Sequence, residues 1–382
     1  MIEGTAAAYL PRPFAFSFPA THHRPKNTPQ PLERVFRAMM GFDCRRGIAN
    51  LLEEHLGGVL VESVMPVAMM VRKPNEKEMT MGEGKAVLAV GAIMVDMLCQ
   101  VPRLPRSGEG IVVEESRAVV GGCAFNAANV LRQLGAPYEL FAPVGCGIFA
   151  GFVERELRER GLEAPRFDDR DSGGCMCFVE PGGERTMVTL PGIERHFVRA
   201  WFDRVEAARF GCGFASGYEV EGPGGDAIIS FFEDHPSIEL YYAPGPRVCG
   251  VGAQKTARIN ALHPVWHLND QEALAYTGSA TLEEAGAAIV EECGNAVVIT
   301  AGKDGAHLFV DGRHAVISAG LVDVVDTVGA GDAHLGALTA ARAAGRSWED
   351  ALALANRVAG AVCGVEGSTL ADEAFARTGA RL

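Results

Sequence analysis

Asp326-Thr-Val-Gly-Ala-Gly-Asp332 lies between an apolar, strand-like run at 321–325 and an Ala-rich segment at 331–344 closed by Gly345. Gly329 and Gly331 let the backbone approach a ligand closely, and the N–H groups of a first helical turn have no intrahelical acceptor. With the positive end of the helix dipole behind them, they make a hole for an anion. Asp332 sits in the same turn. Its carboxylate would repel that anion unless it serves as the proton acceptor for a nucleophile attacking it. A plainer reading rests on the same seven residues: Asp332 complements the helix dipole and the glycines make a tight turn.

Outward from this stretch, short apolar runs alternate with helical spacing. Strands are expected at 87–93, 138–144, 238–243 and 296–300. Helices are expected at 125–134 (ended by Gly135), 152–160 (stopped by Gly161) and 282–293, and another begins at the capping sequence Ser347-Trp-Glu-Asp350. Such alternation implies a parallel sheet covered on both faces, with ligands bound beyond the carboxyl ends of its strands. Residues 110–120 and 175–190 lack helical spacing, and the second run folds at Pro181-Gly182-Gly183. They read as a small projecting β-sheet, a lid over the strand-end cleft.

Two more constellations carry chemistry. In Gly121-Gly-Cys-Ala-Phe-Asn126, two glycines lead into a helix whose early Asn can both donate to and accept from hydroxyls. Asp96, just after the first strand, adds a short acceptor. Together they describe a polyhydroxyl pocket, although a Gly turn before a helix would look the same. Asn269-Asp-Gln-Glu272 puts Asn and Glu on one helical face, suited to ordering the water shell of Mg2+. The competing reading is a capping box.

These features, in this order, resemble the ribokinase/PfkB family of carbohydrate kinases over about residues 84–372. Residues 121–145 match its N-terminal signature, Asn269 to Glu272 its N-x-x-E motif, Thr300-Ala-Gly302-Lys-Asp-Gly305 a nucleotide-side turn, and Asp326 to Asp332 its C-terminal signature. The resemblance implies a three-layer α/β/α sandwich with a mostly parallel central sheet and a β lid, transferring the γ-phosphoryl group of ATP to a hydroxyl. On that resemblance Asp332 is the base, with Gly329, Ala330 and Gly331 as the anion hole. Asp96, Gly121, Gly122 and Asn126 hold the acceptor, with Arg185 reaching it from the lid. Thr300, Gly302, Gly305 and Asn356 line the nucleotide side, Asn269 and Glu272 organise Mg2+, and Asp326 with the 364–368 loop would seat K+. The family's usual V-G-x-D-x-x-G stands here as Val144-Gly-Cys-Gly-Ile-Phe-Ala150, and its D-P-N-x-R as Ala243-Pro-Gly-Pro-Arg247. These departures leave the acceptor open between a sugar and a nucleoside.

Composition narrows the partners. The 382 residues carry 35 Lys+Arg and 48 Asp+Glu, a net charge of −13, with no run of basic residues longer than two. A nucleic-acid groove is thereby disfavoured. Ten cysteines without a C-x-x-C pair or zinc spacing imply a reducing cytoplasm, and no apolar run reaches the roughly 18 residues of a membrane span. Residues 1–80 carry 10 Lys+Arg and 8 Asp+Glu, so +2 against −15 for the remainder, and open with six prolines by position 31. They read as a disordered or mis-annotated extension, with translation starting near Met81 and a kinase domain at 81–382 whose lid takes about 106–122 and 174–190. An exposed lid edge invites a homodimer. Two rival readings remain: Gly145-Cys-Gly147-Ile-Phe-Ala150 followed by Asp168 and Asp169 fits a dinucleotide fingerprint and an NAD-binding oxidoreductase, and a kinase-like fold can be a non-catalytic sensor.

Overall fold

Ala86–Val90 (β1) shows why the sheet is covered on both sides. All five residues of AVLAV are buried, Val87 and Ala89 in one apolar cluster and Ala86, Leu88 and Val90 in another. Period-2 alternation thus feeds two cores from one strand. Each buried Val or Leu contributes about 1.5–3 kcal/mol relative to exposure. The computed structural model describes residues 85–167 and 170–382. The extension expected at 1–80, with its translation start, and the Asp168–Asp169 pair lie outside the described residues.

After β1 come β2 (Met94–Gln100), β3 (Glu115–Gly121), α1 (Cys123–Leu134), β4 (Tyr138–Phe141), α2 (Ile148–Arg160), β5 (Gly174–Val179) and β6 (Arg185–Leu190). The middle of the chain gives β7 (Phe210–Ser216), α3 (Gly217–Glu221), α4 (Gly225–Asp234), β8 (Glu239–Ala243) and α5 (Ala253–Asn260). It continues through β9 (Val265–Asn269), α6 (Asp270–Thr277), α7 (Leu282–Cys293), β10 (Val297–Thr300), β11 (Ala306–Val310) and β12 (Arg313–Ile317). It closes with α8 (Ala330–Ala343), α9 (Trp348–Cys363) and α10 (Asp372–Arg377). The helix ends follow local chemistry: Gly135 and Gly161 close α1 and α2 in the left-handed conformation, and the Ser347 hydroxyl accepts from the Asp350 N–H at 3.1 Å.

The main sheet runs β12-β11-β10-β9-β8-β7-β1-β4, parallel from β4 to β10 and antiparallel through the β11 and β12 hairpin. One apolar cluster joins it to α1, α2, α8 and α9, the other to α4, α5 and α7. This is the expected three-layer, ribokinase-like sandwich. A second sheet, ordered β3-β2-β5-β6, is the lid, and its β5–β6 hairpin turns at Pro181-Gly182-Gly183.

Two expectations need correction. Asp96, expected just after the first strand at its end, lies within β2, a lid strand that the sequence reading left out. Residues 321–325 form no strand: Leu321, Val324 and Val325 are exposed, and the Val325 N–H is taken by the Cys363 carbonyl at 2.8 Å. β-Propensity needs a partner strand to be realised, and this segment instead crosses from the sheet edge to the end of α9.

Candidate active site

Gly329 caps α8 at φ 77°, and a Cβ there would collide with the Ser368 carbonyl, so glycine is required twice over. The Ala330 N–H turns back to the Thr327 carbonyl at 3.3 Å, leaving the amides of Gly331 and Asp332 in the first turn without a helical acceptor. Gly331 is exposed, and nothing lies within 4 Å of the place its Cβ would take. The helix end is therefore open where an anion would sit.

Asp332 projects from this turn beside α1. The Asn126 amide donates to its Oδ2 at 2.8 Å, and the Ser368 hydroxyl donates to Asn126 Oδ1 at 3.0 Å, which fixes the amide's orientation. Burial pushes the Asp332 carboxyl up to about 6, against the downward pull of Asn126. Asp96 comes down from the lid onto the same corner. A Cβ at Gly121 would strike its Oδ2, while Gly122, at φ 106°, lets the chain pass 2.6 Å from the Ala92 carbonyl, measured from where its Cβ would be. Burial first, and the charge of Asp332 second, raise Asp96 to about 6. The structure thus brings Asp96, Gly121, Gly122, Asn126 and Asp332 together.

Arg185, expected to face the acceptor, pairs with Asp326 at 2.9 Å instead. Asp326 also accepts from the backbone of Val328 at 3.0 Å and Gly367 at 3.1 Å. Burial pushes its carboxyl up, but Arg185 and the two amides outweigh this and hold it below the ordinary carboxylate value. A carboxylate already neutralised by a guanidinium and two amides does not fit a monovalent cation, so the K+ expectation at Asp326 finds no support in its surroundings.

An open cleft of about 510 Å3 is lined by Ser318, Leu321, Val322, Asn356, Arg357 and Gly360, among others. Asn356 belongs to it, with its amide donated to the carbonyls of Ile317 at 2.8 Å and Ser318 at 3.3 Å. Thr300, Gly302 and Gly305 do not line it. Thr300 ends β10, Gly302 stands at φ 55°, and Gly305 at φ 96° packs under the Ile317 carbonyl. Asn269 and Glu272 make the capping box of α6: Asn269 Oδ1 accepts from the Glu272 N–H at 2.8 Å, and Glu272 Oε2 from the Asn269 N–H at 3.0 Å.

Two features escaped the sequence reading. His267 Nε2 meets His334 Nδ1 at 2.8 Å, and His334 Nε2 meets Asn356 Oδ1 at 3.2 Å, a buried chain from β9 through α8 to the cleft at Asn356. Burial depresses both histidines, His334 to about 4. Only the place of His334, two residues past Asp332, hinted at it. The second is Glu219, buried in α3 just beyond β7 with the Ser216 hydroxyl and the Cys123 thiol as donors, its carboxyl pushed up to about 7 by burial. No spacing in the chain announces it.

The dinucleotide fingerprint has its own occupant. Asp171 accepts from the N–H groups of Phe149 at 3.2 Å and Ala150 at 2.8 Å, so a carboxylate fills the α2 N-terminus where a pyrophosphate would lie.

A mostly parallel three-layer sandwich with an open helix end beside a carboxylate, roofed by a four-stranded lid, defines a ribokinase-like phosphotransferase. The family model described as pfkB family carbohydrate kinase matches residues 85–212 and 253–374, and the chain belongs to that family. It is a kinase with an alcohol group as acceptor. An uncharacterized sugar kinase of Escherichia coli K12, YegV, is 32% identical over 292 residues, covering 75% of this chain and 91% of its own. Ribokinase of Bacillus subtilis is 24% identical, over 72% and 91%. Among solved structures, Arabidopsis thaliana ribokinase complexed with ribose and ATP superposes with a TM-score of 0.63 at 18% identity, over 77% of this chain and 98% of that one. Among the described residues no helix is long and apolar enough to cross a membrane.

Proposed function

We propose that this protein transfers the γ-phosphoryl group of ATP to a hydroxyl of a sugar, with Asp332 as the base. The observation that carries this is the placement of Asp332 between the open first turn of α8 and the Asp96 and Asn126 pair. Asp96 and Asn126 hold the acceptor by its hydroxyls. Asp332 accepts the proton of the attacking hydroxyl, and the amides of Gly331 and Asp332 itself take up charge developing on the phosphoryl oxygens. Ala330, whose N–H is turned inward, shapes this hole rather than donating to it. The lid carries Asp96 and keeps water from competing as nucleophile.

Burial first, and the charge of Asp270, raise the Glu272 carboxyl against the pull of the Asn269 N–H, and its second oxygen is free of the capping box. That fits a role for Glu272, with Asn269, in holding waters of Mg2+, which would shield the charge of the triphosphate. The cleft beside Asn356 takes the nucleotide, and the turn at Thr300, Gly302 and Gly305 shapes its approach.

A nucleoside acceptor is the second reading, and Tyr218 is what favours it. Its half-exposed ring is backed by the Arg247 guanidinium at 4.9 Å, an aromatic wall for a base. ADP release measured with Mg-ATP across a panel of sugars and nucleosides decides between them. Stimulation by sugars alone supports the first reading, by nucleosides alone the second, and no stimulation by any acceptor refutes both. Exposed Met187, Val188 and Leu190 on β6 support a homodimer through the lid edge, which sedimentation of the full chain tests.

A further inference from the structure

Glu283, His307 and His314 take no part in the kinase chemistry, yet they converge. Glu283 lies in the first turn of α7, His307 on β11 and His314 on β12. The hairpin register pairs Phe309 with His314 and His307 with Val316, so both imidazoles rise from the sheet face that α7 covers. Phe309 braces them: its ring packs on Gly286 of α7 and stacks on His314 with centroids 4.4 Å apart and planes 1° from parallel. His307 Nδ1 then faces His314 Nε2 at 3.1 Å, and an oxygen of the Glu283 carboxylate joins them with all three atoms within 4.8 Å of one another.

We propose that these three side chains bind one borderline divalent transition-metal ion of the Zn2+ type. Two imidazole nitrogens at this distance either share a proton or present two lone pairs to one cation. A shared proton calls for no third donor, whereas a Zn2+-type ion calls for nitrogen and carboxylate ligands together. With metal–nitrogen bonds of about 2.0–2.1 Å, nitrogens 3.1 Å apart subtend about 98° at the ion, a moderate closing of the tetrahedral angle. The exposed Glu283 side chain supplies the third ligand and water the fourth. Hard Mg2+ prefers an all-oxygen shell, so this site is separate in kind from the one at Glu272. Zinc spacing in sequence does not reveal it, because the strand register and not a short Cys/His interval brings the ligands together.

The test is calorimetric titration of the chelator-stripped full chain with ZnCl2, wild type against Glu283→Gln, His314→Ala and His307→Ala. Glu283 and His314 are exposed, so their variants keep the fold even if the half-buried His307 variant does not. The expected result is one binding event lost or weakened in each variant by more than the roughly 10–100-fold that removal of an outer-shell partner costs. Co2+ substituted at the same site should show no sulfur charge-transfer band, and the wild type should melt at higher temperature with Zn2+ than His314→Ala does. Isotherms that superimpose for wild type and His314→Ala would overturn the proposal and leave a hydrogen-bonded histidine pair. His22, His23 and the cysteines are present in every variant and cancel in the comparison. Neither outcome bears on phosphoryl transfer.

Discussion

Asp332 and Asp96 are two carboxyls raised to about 6 in one corner, the second partly by the first. The charge of Asp332 is the smaller of the two causes that raise Asp96. Activity needs Asp332 ionised: kcat/KM should fall below pH about 6 along a one-proton limb. Asp96→Asn should keep that limb while lowering acceptor affinity. Stability runs the other way. Both carboxyls hold more protons folded than at their ordinary 3.8, so the native state is favoured by protonation, and this contribution declines as pH rises from about 4 to 6. A pH–rate profile and a pH series of melting curves check the two directions together; activity that stays level down to pH 4 would remove Asp332 as base. Asp332→Asn should lower kcat by roughly 10²–10⁴-fold, the usual worth of a general base, with nucleotide binding changed only a few-fold. An unchanged turnover in that variant would instead favour the sensor reading.

At the scale of the element, the two glycines of the α8 N-terminus separate folding from catalysis. Gly329→Ala forces an alanine to φ 77° and its Cβ into the Ser368 carbonyl. It should lower the melting temperature, the left-handed backbone alone costing about 1–2 kcal/mol. Gly331→Ala meets nothing within 4 Å and gains helix propensity, so its melting temperature should hold or rise while kcat falls, because the methyl group enters the space meant for the phosphoryl oxygens. Differential scanning calorimetry beside steady-state kinetics checks both, and equal melting losses for the two variants would contradict the open helix end. This turn was legible in sequence because glycine, helix start and acid lie within seven residues, where local geometry dictates position. The same holds for the capping box at Asn269 and the hairpin at Pro181. What stayed hidden depends on elements far apart in the chain. Arg185 reads as a lid residue aimed at the acceptor until β6 is placed over Asp326, 141 residues away. His267, His334 and Asn356 meet only once β9, α8 and α9 pack, and 321–325 looks like a strand until it is found without a partner.

For the whole molecule, the question is which part of the chain carries the activity. The matched family regions begin at residue 85 and end at 374, and the two apolar cores draw on Ala86 at one end and Ala380 at the other. β1 starts at Ala86, with Leu88 and Val90 fully buried between its sheet partners, so a truncation that reached it would remove a strand from both cores at once. A truncation at Met81 stops short of it. We infer that residues 81–382 fold and turn over without the preceding 80, whose opposite charge balance and proline density set them apart. The variant beginning at Met81 should therefore match the full chain in melting temperature and in kcat/KM for the acceptor within about twofold, whereas one beginning at Gly91 should not fold. Expression of both, with calorimetry and ADP release measured side by side, checks the boundary. A large loss of activity in the Met81 variant, with its melting transition intact, would mean that the first 80 residues contribute to the site, and the kinase would have to be described with them included.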